Sequence, residues 1–129
     1  MSQYPYEYYV DIVTKQYFHG VDNFEIGRVL DCFHKDAVLQ VMTSNTLHDG
    51  IDAINMMFTG LFETNSRIWH GNFIHTVDIK RQSICSQFSV EVTSRDEGLL
   101  RYENCNRFYL EEGKYKKVYV YMSGENLLK

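Results

Sequence analysis

The chain has 129 residues, enough for one domain with a hydrophobic core, and 44% of them are apolar while 23% are charged. Its net charge is −4 at pH 7, and its most basic stretch contains only Lys114, Lys116 and Lys117, so nucleic-acid binding is not expected. The aromatic fraction of 15% is high, and so much ring area must fill a core, line a cavity or cover a subunit interface.

Targeting, membrane and metal signals are weak. The first residues lack a basic segment followed by an apolar one, and no apolar run reaches the about 20 residues of a membrane span, so we expect neither a secretory signal nor a membrane partner. Cys32, Cys85 and Cys105 are widely spaced, which favours free thiols in a reducing cytoplasm over a catalytic or metal-binding cysteine. The histidines show no metal-binding spacing and no phosphate-binding loop is present, so we expect no metal and no cofactor.

The first half of the chain has helical periodicity. Apolar residues recur at steps of three and four between positions 4 and 18, which predicts one amphipathic helix. Asp22 followed by Glu25 has the pattern of an N-cap and predicts a second helix, whose apolar side extends to Phe33. A short strand is expected at residues 37–42, a returning segment at 46–48, and a third helix whose apolar side runs from Ile54 to Leu61.

From Trp69 onwards the apolar period changes to two. This alternation predicts four long strands, at residues 69–79, 84–93, 99–110 and 116–123. Their connections are too short for parallel crossovers, so these strands must form an antiparallel meander. We therefore expect residues 1–129 to form a single α+β domain, in which three helices from the N-terminal half pack on one face of a mainly antiparallel sheet.

Three motifs in order resemble the SnoaL-like (nuclear-transport-factor-2-like) superfamily. They are Phe33 followed by Asp36-Ala37, the run at residues 49–54 that opens the third helix, and the last hairpin at residues 106–124. The resemblance covers nearly the whole chain and implies a strongly curved sheet wrapped into a cone, an α+β barrel closed by three helices around a pocket. The superfamily includes isomerases, polyketide cyclases, epoxide hydrolases, dehydratases and proteins without catalysis, so the resemblance implies a fold and not one function.

Similarity to ketosteroid isomerases implies a hydrogen-bonding tyrosine at Tyr17, a base at Val41 and a neutral acid at Asn106. A valine cannot abstract a proton, so isomerase chemistry of that kind is not expected. Tyr17 and Asn106 remain candidate hydrogen-bonding groups for a ligand oxygen, with core packing as the alternative for Tyr17. The strand face that carries Asn106 supplies three further candidate ligand contacts, namely Tyr102, Asn104 and Phe108.

Similarity to scytalone dehydratase and hexachlorocyclohexane dehydrochlorinase implies an Asp–His dyad formed by Asp22 and His70, with Asp22 fourteen residues before Asp36. In such a dyad the carboxylate fixes the imidazole tautomer, so that the ring can remove a proton β to a leaving group. Strand alternation predicts that His70 and His75 lie on opposite faces of the sheet. The structural alternatives are helix capping for Asp22 and a half-buried strand position for His70.

Three functions follow from these residues. The first is a cofactor-independent lyase or isomerase for a small, largely apolar, oxygenated molecule, with His70 as general base, Asp22 as its orienting partner, and Tyr17 and Asn106 as polar anchors. The second is a non-catalytic ligand-binding or dimerisation module, and the third is a protein-interaction scaffold that uses the outer face of the sheet. Since apolar residues are predicted on both faces, with Phe73 on the outer one, we expect a C2 homodimer through that face.

Overall fold

The computed structural model describes residues 3–96 and 98–129, which contain three helices. Helix α1 is continuous through an α-helical segment, Tyr6–Asp11, a π-helical segment, Ile12–Phe18, and a second α-helical segment, His19–Asp22. Helix α2 spans Ile26–Leu30 and helix α3 spans Ile51–Thr64. None of the helices in the described residues is long and apolar enough to cross a membrane.

Six strands form one sheet. They are β1 (Phe33–Val41), β2 (Thr46–Asp49), β3 (Asn65–Asp78), β4 (Ser83–Ser94), β5 (Gly98–Glu111) and β6 (Lys114–Tyr121). Their order is β2-β1-β6-β5-β4-β3, and neighbouring strands are antiparallel except for the parallel pair of β1 with β6. The predicted α+β class, with helices on a curved and mainly antiparallel sheet, is confirmed.

Asp22 does not cap a helix, so the capping alternative is wrong. It is the last residue of α1, and α2 begins after Glu25, which makes no side-chain capping hydrogen bond. The predicted second helix is also shorter than expected, because Phe33 belongs to β1. With its backbone at the end of α1, the Asp22 side chain is available to contact the sheet.

A bulge in β3 changes which side chains face the helices. The register with β4 shifts between Gly71 and Ile74, and Asn72 has a φ of 56°, a left-handed conformation that asparagine adopts more readily than most residues. The extra residue inverts the alternation, so His70 and His75 both lie on the inner face. The prediction that they lie on opposite faces is therefore wrong.

Phe73 moves to the inner face for the same reason. Its ring lies 5.5 Å from that of Phe18 and 5.8 Å from that of Phe88, in the layer between α1 and the sheet. The prediction that Phe73 contributes to the outer face is wrong. The outer face retains Ile74, which is 64% exposed.

Tyr17 lies at the centre of the aromatic core. It comes from the π-helical segment of α1, is only 2% exposed, and has five aromatic rings within 6.0 Å of its ring centre. These rings belong to Phe18, Phe33, Phe58, Phe108 and Tyr115. Edge-to-face pairs of this kind contribute about 0.5–1.5 kcal/mol each beyond burial. They fix α1 against the sheet and thereby set where its last residue, Asp22, meets β3.

Candidate functional site

A cavity of about 40 Å³ lies between the inner face of the sheet and helices α1 and α3. Most of its wall is apolar. Polar side chains in the wall come from Tyr17, His70, Asn104 and Asn106, and the apolar ones include Phe18, Phe58, Phe88, Val90, Leu127 and Leu128. The cavity wall therefore contains four of the residues predicted from the sequence. Asp22 lies outside the wall and contacts one of them, His70.

Asp22 binds His70 with both carboxylate oxygens. Its Oδ1 lies 2.5 Å from the ring Nδ1, and its Oδ2 accepts the backbone N–H of His70 at 3.0 Å. The side chain of His70 is 10% exposed and that of Asp22 is 22% exposed, so the pair is sheltered from solvent without being sealed. Because Nδ1 donates its proton to the carboxylate, the lone pair of the neutral ring is on Nε2, which becomes the proton-accepting atom.

Aromatic rings fix the plane of the His70 imidazole. The Phe18 ring lies 4.3 Å from it at an interplanar angle of 30°, and the Phe88 ring lies 5.4 Å from it. Phe18 follows Tyr17 in the π-helical segment, so one short stretch of α1 supplies both the core ring and the ring that covers the imidazole. Apolar cover on this side keeps water away from the imidazole and strengthens its bond to Asp22.

Tyr17 brings a phenol to the cavity wall. Burial, assisted by the Cys32 thiol nearby, raises the pKa of Tyr17 far above its usual range. The hydroxyl therefore stays protonated at any physiological pH and can donate a hydrogen bond to an oxygen atom in the cavity.

Two asparagines of β5 differ in how their side-chain oxygens are used. Asn104 Oδ1 accepts the backbone N–H of Ser123 at 3.3 Å, which is a structural bond. Asn106 is 3% exposed, and within the described residues its Oδ1 has no hydrogen-bond partner. A buried carbonyl oxygen without a partner costs about 1–3 kcal/mol, so Asn106 is not arranged for maximum stability.

Tyr102 and Phe108, also predicted as ligand contacts, lie outside the cavity wall. Phe108 is fully buried in the core, with its ring 5.6 Å from that of Tyr17. The ring of Tyr102 lies against Gly124, where an added Cβ would come within 2.4 Å of it. The predicted face of β5 was correct, but a strand of 14 residues extends beyond a single cavity.

Sequence reasoning missed the apolar wall residues Phe18, Leu127 and Leu128. Phe18 directly follows Tyr17, and the two leucines are an apolar pair beyond the last strand, which is the only signal that could have suggested them. The three cysteines are free thiols, as predicted, and none lies in the cavity wall. In the part of the chain that the structure describes, no group of three or more His, Cys, Asp and Glu side chains could hold a metal ion.

Residues 9–123 match the model of the nuclear transport factor 2 (NTF2) domain. The chain therefore belongs to the NTF2 domain family, and the resemblance seen in its motifs is confirmed. No curated protein sequence matches the chain at a significant level.

Solved structures of the same fold share little sequence with the chain. AusH from Aspergillus nidulans has a TM-score of 0.81 at 11% identity, covering 95% of this chain and 88% of its own. An NTF2-like protein from Anabaena variabilis has a TM-score of 0.78 at 14% identity, covering 97% and 96%. A candidate polyketide cyclase from Xanthomonas campestris has a TM-score of 0.78 at 14% identity, covering 94% and 92%. At these identities the comparison establishes the fold alone.

Proposed function

We propose that the protein is a cofactor-independent lyase or isomerase, of the dehydratase type, for a small, largely apolar, oxygenated molecule. The observation that carries the proposal is the Asp22–His70 pair, whose imidazole belongs to the cavity wall. Asp22 stands at the C-terminal end of α1, where a negative charge is unfavourable by about 0.3–1 kcal/mol. Helix stability therefore does not explain this carboxylate, whereas its two bonds to His70 do, and one of them orients the imidazole.

The chemistry assigned to His70 is proton transfer at Nε2. Nε2 removes a proton from a carbon of the substrate, and the electron pair of that C–H bond forms a double bond as a β-hydroxyl group leaves. Asp22 stabilises the imidazolium formed in this step, and the imidazolium returns its proton to the departing hydroxide to give water. No redox partner is required, because elimination of water leaves the oxidation level of the molecule unchanged.

Tyr17 and Asn106 are the proposed polar anchors of the substrate. The phenol of Tyr17 donates to a carbonyl oxygen, whose negative charge grows as the proton leaves carbon. The unpartnered Oδ1 of Asn106 accepts from a hydroxyl or N–H group. The mostly apolar wall supports a substrate with few polar groups, and the likeness to a candidate polyketide cyclase is consistent with an oxygenated carbon skeleton.

The test is turnover of a panel of small β-hydroxy ketones, followed by the ultraviolet absorbance of the conjugated product. We expect turnover by the wild type and by His75→Ala, a matched histidine of the same strand and face, and a loss of about 100-fold or more in His70→Ala. Unchanged turnover in His70→Ala would refute the base assignment. Binding of these ketones without turnover in any variant would instead identify a non-catalytic ligand-binding module.

We also propose a C2 homodimer that forms through the outer face of the sheet. Three large apolar side chains are exposed on this face: Ile74 at 64%, Leu99 at 63% and Tyr121 at 49%. Light scattering at tens of micromolar is expected to give twice the mass of the chain, and Ile74→Lys is expected to give the monomer. A monomeric wild type at that concentration would contradict the dimer.

A further inference from the structure

The chain continues past β6 as an irregular segment, residues 122–129, that returns over the cavity. Leu127 and Leu128 of this segment are part of the cavity wall. We propose that Leu127 and Leu128 form a movable wall, held closed by His48, that determines which ligands reach His70. This inference rests on the proposed function of the cavity and assigns its specificity to residues outside the helices and the sheet.

The small size of the cavity favours a wall that can move. With Leu127 and Leu128 in place it measures about 40 Å³. An engineered apolar cavity of about 150 Å³ binds benzene, and each water needs about 10–15 Å³. The space between the wall residues therefore has room for a few waters, and displacement of part of the wall would make room for a ligand with a six-membered ring.

Residues 124–129 contain the part of the wall that is easiest to displace, because Met122 and Ser123 before them are bonded to β5 and to the turn after β1. The remaining wall residues belong to α1, α3 and the strands, or directly follow a strand, and moving those elements would break helical or ladder hydrogen bonds. The C-terminal segment is fixed mainly by side-chain bonds. Asn126 Nδ2 donates to Thr46 Oγ1 at 3.4 Å, and Asn126 Oδ1 accepts the Leu128 N–H at 2.8 Å within the segment. Releasing it therefore costs few bonds.

The hydrogen bond that holds the two leucines directly is that between His48 and Leu128, here called the latch. His48 Nε2 lies 2.8 Å from the carbonyl oxygen of Leu128, and His48 itself is only 8% exposed. A carbonyl oxygen can only accept, so Nε2 is the donor. His48 and Thr46 both belong to β2, so this edge strand holds the segment at two points.

The latch affects the apparent affinity for a ligand because it sets the fraction of molecules in which the movable wall is open. If only the open form admits the ligand, the apparent Kd equals the intrinsic Kd divided by the open fraction. Loss of one hydrogen bond changes an equilibrium by about fivefold. Weakening the latch is therefore expected to tighten ligand binding, whereas the loss of an ordinary binding residue would weaken it.

The first experiment measures binding of 2-naphthol, a small apolar molecule with one hydroxyl group, by fluorescence titration. We expect the apparent Kd of His48→Ala to be about fivefold lower than that of the wild type. The matched control is His34→Ala, because His34 Nε2 also bonds to a carbonyl oxygen, that of Glu111, away from the cavity. An unchanged or higher apparent Kd in His48→Ala, with His34→Ala equal to the wild type, would overturn the latch.

The second experiment closes the wall covalently. Thr46→Cys with Asn126→Cys places two thiols where the side chains already touch, and glutathione disulfide links them. We expect 2-naphthol binding to fall at least tenfold in the linked form and to return on reduction, with Thr46→Cys alone as control. Equal binding by the linked and reduced forms would overturn the movable wall while leaving the proposed function intact. Failure of every form to bind 2-naphthol, His48→Ala included, would also overturn the movable wall, whereas the proposed function is decided by turnover of the β-hydroxy ketones.

Discussion

The carboxylate of Asp22 bonds to His70 at two places, at 2.5 Å to the ring Nδ1 and at 3.0 Å to the backbone N–H. The first bond orients the imidazole, and the second attaches the end of α1 to β3. One side chain thus has a structural role and, in the proposed function, a chemical one. Because the two bonds use different atoms of His70, substitutions at Asp22 can separate the two roles.

Asp22→Asn is expected to leave the fold intact but to prevent His70 from acting as a base. The amide oxygen can still accept the backbone N–H of His70, but the amide nitrogen is a donor and favours a ring whose Nδ1 is unprotonated. The proton then moves to Nε2, and turnover is expected to fall about 100-fold or more. Imidazole ¹⁵N chemical shifts report the tautomer without a substrate, and an Asp22→Asn protein with Nδ1 still protonated would contradict the assignment.

Asp22→Ala removes both bonds and is expected to reduce stability as well. A hydrogen bond to a charged group contributes about 1.5–3 kcal/mol, so the loss of two is expected to lower the free energy of unfolding in urea by at least that amount. The matched control is Asp11→Ala, which removes a half-exposed carboxylate of the same helix that pairs with Lys15. Equal losses in the two variants would show that Asp22 has no special structural role.

Asn106→Leu is expected to stabilise the protein while weakening ligand binding. The unpartnered Oδ1 of Asn106 costs about 1–3 kcal/mol in the empty protein, and replacing it with an apolar group removes that cost. The loss should affect 2-naphthol, which has a hydroxyl group, more than naphthalene, which has none. Titration of both molecules and urea unfolding test the two halves of the prediction.

Asn104→Leu is the matched control on the same strand. Asn104 Oδ1 accepts the Ser123 N–H, so its loss leaves that donor unpaired and is expected to lower the free energy of unfolding. If both leucine variants destabilise the protein alike, the Asn106 oxygen has a partner in solution and is not reserved for a ligand.

The fold and the central pair of the site could be predicted because they depend on spacing along the chain. Alternation from β4 to β6 gave the meander, and the family motifs placed Asp22 and His70 in matching positions. The same Asp22, followed by Glu25, also has a local capping pattern. Local sequence could not choose between the two roles, since the deciding partner is His70, 48 residues away.

The features that could not be predicted lie where the sequence departs from the regular alternation of apolar and polar residues. The bulge at Asn72 moves Phe73 and His75 to the opposite face of the sheet from the one predicted. Strict alternation cannot predict this, because it assumes that the strand contains no extra residue. Glycine and asparagine tolerate a left-handed backbone, so the pair Gly71-Asn72 could have indicated a bulge. Leu127 and Leu128 have no period at all, and their place in the wall depends on tertiary contacts.

Asn72→Val tests whether the bulge is built on the left-handed conformation of this residue. Asn72 has a φ of 56°, which costs a β-branched residue about 1–3 kcal/mol. The free energy of unfolding is expected to fall by that amount in Asn72→Val and to change little in Asn72→Gly, because glycine adopts positive φ freely. If valine is tolerated as well as glycine, the backbone at position 72 is not left-handed in solution.

His75 gives the protein a pH-dependent stability near neutrality. Its Nδ1 lies 2.8 Å from Ser86 Oγ, its ring stacks 5.5 Å from that of Phe73, and burial lowers its pKa below the usual 6.5. The unfolded state therefore binds more protons than the folded state between the two pKa values. The contribution of His75 is complete above about pH 6.5 and is lost as the pH falls through the folded-state pKa.

His75→Gln is expected to flatten this dependence, because glutamine can still bond to Ser86 but does not titrate. Urea unfolding at pH 7.5 and pH 5.0 should show a smaller loss of free energy at the lower pH in His75→Gln than in the wild type. His34→Gln, at a partly exposed histidine, is the control and should follow the wild type. Parallel profiles for the wild type and His75→Gln would mean that His75 is as easily protonated in the folded protein as in the unfolded chain.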